Sequence, residues 1–220
     1  MDISEIETLL SDEDPQCRLR GLVALKDHSS EAAVPLLIAQ RKDTAFLVRS
    51  FVAMGLGRKR NDAAYKALLE MLPVETDQNV QAEIANSLGL YGTKAADRLV
   101  QLFYDNDNWL VRRSILAIMP EMECPQKLLE ITLIALKDSD ETIAQAGVAT
   151  LGMLADTDCR DQALAALLPI LSADSWRLRM YLAYALKEFD DEQAIAALTQ
   201  LRQDSHHKVV AAALEGLLPS

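Results

Sequence analysis

Residues that interrupt helices are scarce in this 220-residue sequence, which has 8 glycines and 7 prolines. Aromatic residues are also few, with two tryptophans, five tyrosines and four phenylalanines. Because β-rich folds draw on aromatic and turn-forming residues, this composition disfavours an all-β fold. Half of the residues are hydrophobic, which excludes a wholly disordered chain. The composition therefore predicts many helices joined by short turns.

Cysteine is scarce as well, and long apolar runs are missing. Cys17, Cys124 and Cys159 form no CxxC pair and are odd in number, which favours a reducing compartment over a disulfide framework. The longest apolar run, from Ala163 to Leu171, is far shorter than the ~18 residues of a membrane span. The acidic residues that follow Met1 are unlike the basic start of a secretion signal. We expect a cytoplasmic protein with no membrane span.

Positive charge is in deficit, with 22 lysines and arginines against 33 aspartates and glutamates and a net charge of −11. Such a charge repels a nucleic-acid backbone unless the cations cluster on one face. The one dense basic run, 58–60, follows Arg41 and Lys42 but has no interleaved aromatic residues that could stack on bases. We interpret this run as a solvated turn and expect no nucleic-acid partner.

A single pattern recurs along the whole chain, and residues 140–152 show it clearly. Around a central position, which we call the anchor, the preceding residue and the residue seven later are apolar in every copy, as Val48 and Leu56 are around Arg49. Successive anchors are 31 to 35 residues apart. The seven anchors are Arg18, Arg49, Gln81, Arg112, Ala144, Arg179 and Val210. This period is typical of a repeat protein.

Each copy of the pattern predicts two helices. Apolar residues at −1, +3, +4 and +7 from the anchor form one stripe of an amphipathic second helix. A first apolar-periodic stretch precedes it, and an aspartate between the two can accept from the free amides at the start of the second helix. These aspartates are Asp14, Asp43, Asp77, Asp107, Asp140, Asp174 and Asp204. Gly57, Gly89 and Gly152, at +8, are predicted to end their helices in a left-handed conformation, and Pro120 to end the fourth copy.

Short helix pairs bury their apolar stripes only by stacking on neighbouring pairs. The sequence therefore predicts an all-α fold, an α-solenoid (superhelix) of about seven helix-pair repeats in one domain, 1–220, with the second helices on its inner side. The predicted repeats span about 2–28, 29–59, 60–92, 93–122, 123–155, 156–188 and 189–220.

The repeat resembles the short HEAT-like repeat of the phycobilisome-lyase family. The resemblance rests on the turn at residues 14–18, Asp-Pro-Gln-Cys-Arg, and on the endings at 87–89 and 150–152. It extends from Ile3 to Leu218. Members of that family include bilin lyase subunits, the phycobilisome-degradation protein NblB and adaptors unconnected with light harvesting.

This resemblance implies a protein-binding scaffold that acts on phycobiliproteins or phycobilisomes, in bilin attachment, detachment or chaperoning. It implies no intrinsic cofactor, only a linear tetrapyrrole (bilin) carried with the partner. If the chain is an enzyme, the implied activity is that of a bilin lyase; we find no catalytic residue and no metal site. Deoxyhypusine hydroxylase resembles this fold but holds iron through paired His-Glu motifs, whereas this chain has only His28, His206 and His207.

Anchor positions +1, +2 and +5 lie off the buried stripe and should face the groove of the solenoid. Apolar or aromatic residues stand there near both ends of the chain and polar residues in the middle, a pattern suited to a partner surface. The candidates are Phe51, Met54, Glu83, Asn86, Arg113, Met180, Tyr181 and Tyr184. The alternative is that groove curvature buries these side chains against neighbouring repeats.

Two further sets of residues have competing interpretations. The anchor arginines could form a basic ladder for a carboxylate, but we favour ion pairs with turn aspartates that set repeat geometry. Cys124 and Cys159 lie in equivalent turns and would be the thiol site of a rival function, an adaptor unrelated to bilins, for example in iron–sulfur cluster assembly. Phe46, Trp109 and Trp176 are expected to cover neighbouring repeats.

Overall fold

The computed structural model describes residues 1–215, and within them all regular structure is helical, which confirms the all-α prediction. The first helices of the pairs are α1 (Ile3–Leu10), α3 (Ser30–Ala39), α5 (Asp62–Met71), α7 (Ala96–Asp105), α9 (Pro125–Ala135), α11 (Arg160–Leu167) and α13 (Glu192–Leu201). The second helices are α2 (Pro15–Ala24), α4 (Phe46–Lys59), α6 (Gln78–Gly89), α8 (Trp109–Ile118), α10 (Glu141–Gly152), α12 (Trp176–Leu186) and α14 (His207–Leu214).

The helices form two compact units, Met1–Ile118 and the part of the chain from Met119 onward. In the first unit α4 packs between α2 and α6, and α6 packs on α8. In the second unit α12 packs between α10 and α14. Each unit is therefore an α-solenoid in which successive second helices form one layer. The expectation that all seven pairs form a single domain stays a prediction.

The buried columns follow the predicted register. The −1 residues Val48, Val80, Val111, Ile143 and Val209 are fully buried. Cys17 and Leu178, at the same position, are only half-buried. The +7 residues Leu25, Leu56, Leu88, Met119, Leu151 and Leu186 are at most 1% exposed. Leu217, the seventh member of this column, lies outside the described residues.

The turn aspartates cap three second helices as predicted. Asp14 accepts from the Gln16 amide at 2.9 Å, Asp77 from the Asn79 amide at 2.9 Å and Asp140 from the Thr142 amide at 2.7 Å. At α8 and α12 the prediction is wrong, because the residues after Asp107 and Asp174 accept from the helix amides instead. These residues are Asn108 and Ser175.

Asp43 and Asp204 accept from amides within their turns and are not helix caps. The Asp43 carboxylate accepts from the Ala45 amide and that of Asp204 from the His206 amide, both at 2.8 Å. Each of these carboxylates also binds an anchor arginine. They therefore fix the turn and the neighbouring repeat together.

The predicted left-handed glycines at +8 are wrong. Gly57 lies inside α4, which continues to Lys59 and ends at Arg60 with φ 48°. Gly89 and Gly152 are the last residues of their helices, and among the described residues only Gly92 is a glycine with positive φ.

Close approach of successive second helices is the physical reason for these glycines. A Cβ atom on Gly57 would lie 2.7 Å from Cβ and 2.9 Å from Cα of Ser87 in α6. A Cβ atom on Gly152 would lie 3.0 Å from Cα of Ala185 in α12. The distances from Gly57 are shorter than side-chain contacts allow, so a larger residue there would push α4 and α6 apart, whereas a larger residue at Gly152 would require its neighbour in α12 to shift by a few tenths of an ångström.

Gly57→Ala is accordingly expected to lower the free energy of unfolding by about 1–3 kcal/mol, by overpacking α4 against the backbone of α6. Urea denaturation would measure it. In the comparison variant, Gly55→Ala, the new Cβ meets only the side chain of Leu37, with the terminal Cδ2 nearest at 2.7 Å, and this flexible end can move more easily than a backbone, so the loss should be smaller. A gain of stability in Gly57→Ala, as helix propensity alone predicts, would contradict the close approach.

Candidate protein-binding surface

The predicted surface residues fall into two groups, one in each unit. Five of them lie on α4, α6 and α8 of the first unit: Phe51, Met54, Glu83, Asn86 and Arg113. Three lie on α12 of the second unit: Met180, Tyr181 and Tyr184. Arg113 and Tyr184 are exposed and the other six are half-buried. None of the eight belongs to the fully buried core, so each leaves part of its side chain open to a partner.

Phe51 and Met54 share a pocket in the first unit. The pocket has a volume of about 170 Å³ and lies between α2, α3 and α4. Leu25 and Leu37, each 1% exposed, form part of its lining. Phe51 and Met54 therefore border an open space and do not only fill the core.

Further exposed apolar residues lie outside the set predicted from the sequence. Val23, at the +5 position of the first copy, is 54% exposed and lines the same pocket. Leu47 in α4 is 41% exposed, and Met153, just after α10 in the second unit, is 61% exposed. The +5 position of Val23 was a usable signal, since Met54 and Tyr184 occupy it in other copies.

The polar residues of α6 lie near a cation of α4. The Ser87 hydroxyl donates to Oε1 of Glu83 at 3.4 Å. Burial raises the pKa of Glu83, while the hydrogen bond from Ser87 and the positive charge of Arg58 partly oppose that rise. Asn86 directly precedes Ser87 on α6 and is half-buried. This part of the surface can therefore donate and accept hydrogen bonds beside the apolar pocket.

In the second unit, a lysine cation lies over the ring of Tyr184. The Lys187 ammonium lies 5.0 Å from the centroid of the Tyr184 ring and 3.3 Å from Oε2 of Glu215. A cation over an aromatic face attracts the ring electrostatically. Tyr184, 41% exposed, is thus a partly oriented ring on an open surface, with Tyr181 one turn earlier on α12.

Three of the four anchor arginines bind the turn of the next repeat, two of them through a turn aspartate as interpreted, whereas Nε of Arg112 donates to the carbonyl of Asn106 in its own turn at 2.8 Å. Arg18 forms two bonds to Asp43, with Nε to Oδ2 at 2.6 Å, and Arg179 forms the same pair of bonds with Asp204. Arg49 pairs instead with Glu75, with Nε to Oε2 at 2.7 Å. Each guanidinium also donates to carbonyls of its own turn. These three cations therefore link adjacent repeats and do not form a ladder for an external carboxylate.

These pairs predict acid sensitivity. Burial alone would raise the pKa of Glu75, but bonds from Arg49 and from the Asp77 and Thr76 amides outweigh it and lower the pKa below its ordinary value of 4.5. A lowered folded-state pKa contributes stability that is present above the unfolded pKa and is lost as pH falls through the folded one. The unfolding free energy should therefore decrease as pH falls below about 4.5.

The measurement is urea denaturation between pH 7 and pH 3, on the wild type and on Glu75→Gln. Glutamine keeps an oxygen for the two amides but has no titratable charge, so the variant should show a shallower decrease in this range. Equal pH dependence in both proteins would contradict the assignment to Glu75.

The two candidate thiols differ in access. Cys124, directly before α9, is half-buried, and Cys159, directly before α11, is 2% exposed. Burial, together with the charge of Asp158, raises the pKa of Cys159 and keeps the thiol protonated. Because the thiolate is the ligand and nucleophile, this environment disfavours both roles. Among residues 1–215, no three His, Cys, Asp or Glu side chains are grouped as a metal site requires.

Trp176 covers the next repeat as predicted. Its ring stacks on that of His206, with centroids 4.1 Å apart and an interplanar angle of 4°. His206 stacks in turn on His207. Phe46 and Trp109 remain 47% and 46% exposed.

The helix pairs and their buried columns define a repeat protein of the α-solenoid class. The family model for HEAT repeats matches residues 37–119 and 129–218, and the chain belongs to the HEAT-repeat family. No curated protein sequence matches it. Within the described residues, no helix is both long enough and apolar enough to cross a membrane.

Solved structures share the fold at low sequence identity. The Escherichia coli protein YibA is 15% identical, with a TM-score of 0.62 over 100% of this chain and 93% of that one. The complex of CpcE and CpcF of phycocyanin lyase from Nostoc sp. PCC7120 gives 17% identity, 99% and 95% coverage and a TM-score of 0.57. Human deoxyhypusine hydroxylase gives 16% identity, 98% and 94% coverage and a TM-score of 0.50. Likeness at this identity establishes the fold.

Proposed function

We propose that this chain is a protein-binding scaffold whose partner is a phycobiliprotein or another phycobilisome component. The scaffold would hold the partner while its bilin is attached, detached or protected, and the bilin would arrive with the partner. The observation that carries the proposal is the open aromatic surface on α12, where Tyr181 is half-buried and Tyr184 is 41% exposed. The similarity to the phycocyanin lyase complex of Nostoc supports the choice of partner.

The chemistry of the surface suits protein recognition. Tyrosine and methionine are enriched at the cores of protein interfaces: tyrosine buries a large area at low entropic cost, and the flexible thioether of methionine adapts to the shape of a partner. Phe51 and Met54 supply such groups in the first unit, and Tyr181 and Tyr184 in the second. Each pair is fixed on a helix whose opposite side is in the core, so little order is lost when a partner binds.

The test mixes the purified protein with phycocyanin and, separately, with free bilin. Co-elution in size-exclusion chromatography reports complex formation, and visible absorbance reports a change in the bilin environment. Under the proposal the chain co-elutes with phycocyanin. Failure to bind phycocyanin in holo or apo form would exclude this partner.

Changing Tyr181 and Tyr184 together to serine should weaken partner binding by roughly 2 kcal/mol or more, because anchors of this kind carry much of the binding energy. The matched control is Ile195→Ser, which removes an apolar side chain that is 54% exposed on a first helix, α13, of the same unit. Calorimetric titration measures affinity and thermal unfolding measures stability. Unchanged affinity with a large loss of stability would assign the tyrosines to the core.

The thiol pair is tested in the same assay. Cys124→Ser with Cys159→Ser should leave phycocyanin binding unchanged, since the protonated and buried Cys159 has no role in this surface. Loss of partner binding in this variant would instead support an adaptor that works through its thiols, as in iron–sulfur cluster assembly.

A further inference from the structure

The pocket of the first unit has an apolar interior. Leu25 and Leu37 are buried at its base, and Phe51 and Met54 of α4 line it. Val23 of α2 also lines it and is 54% exposed, so the pocket opens to solvent beside this residue.

The size of the pocket limits what it can hold. Its volume of about 170 Å³ is close to that of an apolar cavity of roughly 150 Å³ that takes up benzene. One aromatic ring or one leucine-sized side chain therefore fits it. A linear tetrapyrrole, with four rings, is too large to be contained there.

Three cations lie at the same pocket although the chain as a whole has a net charge of −11. They are Lys26, Arg58 and Lys59. Within residues 1–215, none of the three forms an ion pair with a carboxylate. The Lys59 ammonium donates to the carbonyls of Lys26, at 3.0 Å, and of His28. These acceptors are neutral, so the positive charge of Lys59 stays uncompensated.

Arg58 extends the positive charge toward α6. It is exposed, and its charge reaches the half-buried carboxyl of Glu83 without forming an ion pair. The basic run 58–60, which the sequence pattern favours as a solvated turn, thus contributes Arg58 and Lys59 of α4 to the edge of an apolar pocket. Opposite charges on a partner would be attracted to this edge over roughly 10 Å at ordinary ionic strength.

From this geometry we propose that the pocket receives one aromatic or leucine-sized side chain of a partner protein, flanked in the partner's sequence by acidic residues. The side chain would fill the space between Val23 and Met54, and the carboxylates would pair with Lys26 and Arg58. This inference rests on the proposed function as a protein-binding scaffold and adds the kind of segment that the first unit recognises.

The probe is a fluorescent, end-blocked five-residue peptide in which a central phenylalanine has two glutamates on each side. Fluorescence anisotropy should show saturable binding that weakens as salt is raised from 50 to 300 mM. Two comparison peptides, one with a central serine and one with lysines in place of the glutamates, should bind at least about tenfold more weakly. Equal binding of all three peptides would overturn the proposal.

Val23→Asp places a negative charge at the opening of the pocket on an exposed side chain and should lower peptide affinity at least about tenfold. The matched control is Ile195→Asp, which makes the same charge change at a residue of the second unit that is also 54% exposed. Arg58→Gln should weaken binding and reduce its salt dependence. Unchanged affinity in Val23→Asp, with native circular dichroism, would place the peptide elsewhere.

Phenylpropionate distinguishes a protein segment from a free aromatic acid. Under the proposal it competes only weakly, because it offers one carboxylate. Binding of phenylpropionate tighter than that of the peptide would assign the pocket to a small molecule and overturn the proposal.

Failure of the pocket proposal can be distinguished from failure of the proposed function. Phycocyanin binding that survives Val23→Asp but is lost in the variant with Tyr181 and Tyr184 changed to serine refutes only the pocket. Peptide binding without phycocyanin binding refutes only the partner.

Discussion

Leu88→Ala is expected to lower the free energy of unfolding by roughly 2–5 kcal/mol. Leu88 is 0% exposed on α6, which packs on both α4 and α8 in the first unit. Truncation removes one methine and two methyl carbons from the core and leaves a cavity that neighbouring helices fill only in part. The midpoint of urea denaturation is the measurement, with the slope checked for a change in the surface that unfolding exposes.

The control for this prediction is Glu70→Ala on α5. The Glu70 side chain is 50% exposed, and its contact with Lys66 is an exposed pair at 4.0 Å. Such pairs contribute little. Similar effects of the two substitutions would mean that the repeat register is wrong, because that register assigns Leu88 to the buried column.

Arg49→Ala is expected to cost about 3 kcal/mol, because it leaves the carboxylate of Glu75 buried without its cation. The side chain of Glu75 is 4% exposed and that of Arg49 is 17% exposed. We place the expected loss near the lower end of the range for broken buried pairs, since Glu75 keeps bonds from the Thr76 and Asp77 amides at 2.9 Å. The pair joins two successive repeats, so its loss should weaken their stacking.

A double-mutant cycle of Arg49→Met, Glu75→Gln and the two changes together separates the interaction of the pair from the burial of each residue. Arg49→Met with Glu75→Gln keeps the packing volume and the acceptor for the two amides but removes both charges. We expect this double variant to be more stable than Arg49→Ala, since no unpaired charge remains in the core. If the double variant is as unstable as Arg49→Ala, the loss comes from packing and hydrogen bonds of the guanidinium, and the charge argument is wrong.

Part of the candidate site could be predicted from the sequence, because helix periodicity places residues on a face. Phe51 and Met54 stand at positions +2 and +5 from the anchor Arg49, which places them off the buried stripe of α4, and both line a pocket. The contribution of Arg58 and Lys59 to that pocket could not be predicted. It depends on the distance between the C-terminal ends of α4 and α2 in the folded chain, and no local sequence pattern specifies that distance.

The choice of ion-pair partners shows the same limit. The sequence indicates that an anchor arginine pairs with a turn aspartate, and Arg18 and Arg179 do so. Arg49 selects Glu75, while Asp77 of the same turn caps α6. Judged by sequence distance alone, either Glu75 or Asp77 could pair with Arg49. Only the path of the backbone through the turn decides which of the two carboxylates faces the guanidinium.

The sequence by itself determined the class of this protein. Apolar residues at −1 and +7 of a recurring unit specify an amphipathic helix pair, and recurrence at nearly constant spacing requires the pairs to stack, because no pair can bury its stripe alone. Tertiary structure alone decided the role of Gly57 and Gly152. In sequence these glycines resemble helix ends, and Gly152 does end α10, but at both positions the short distance to the neighbouring helix is what leaves little room for a side chain. Such distances arise from the packing of side chains that are remote in sequence, so they become visible only once the helices are in contact.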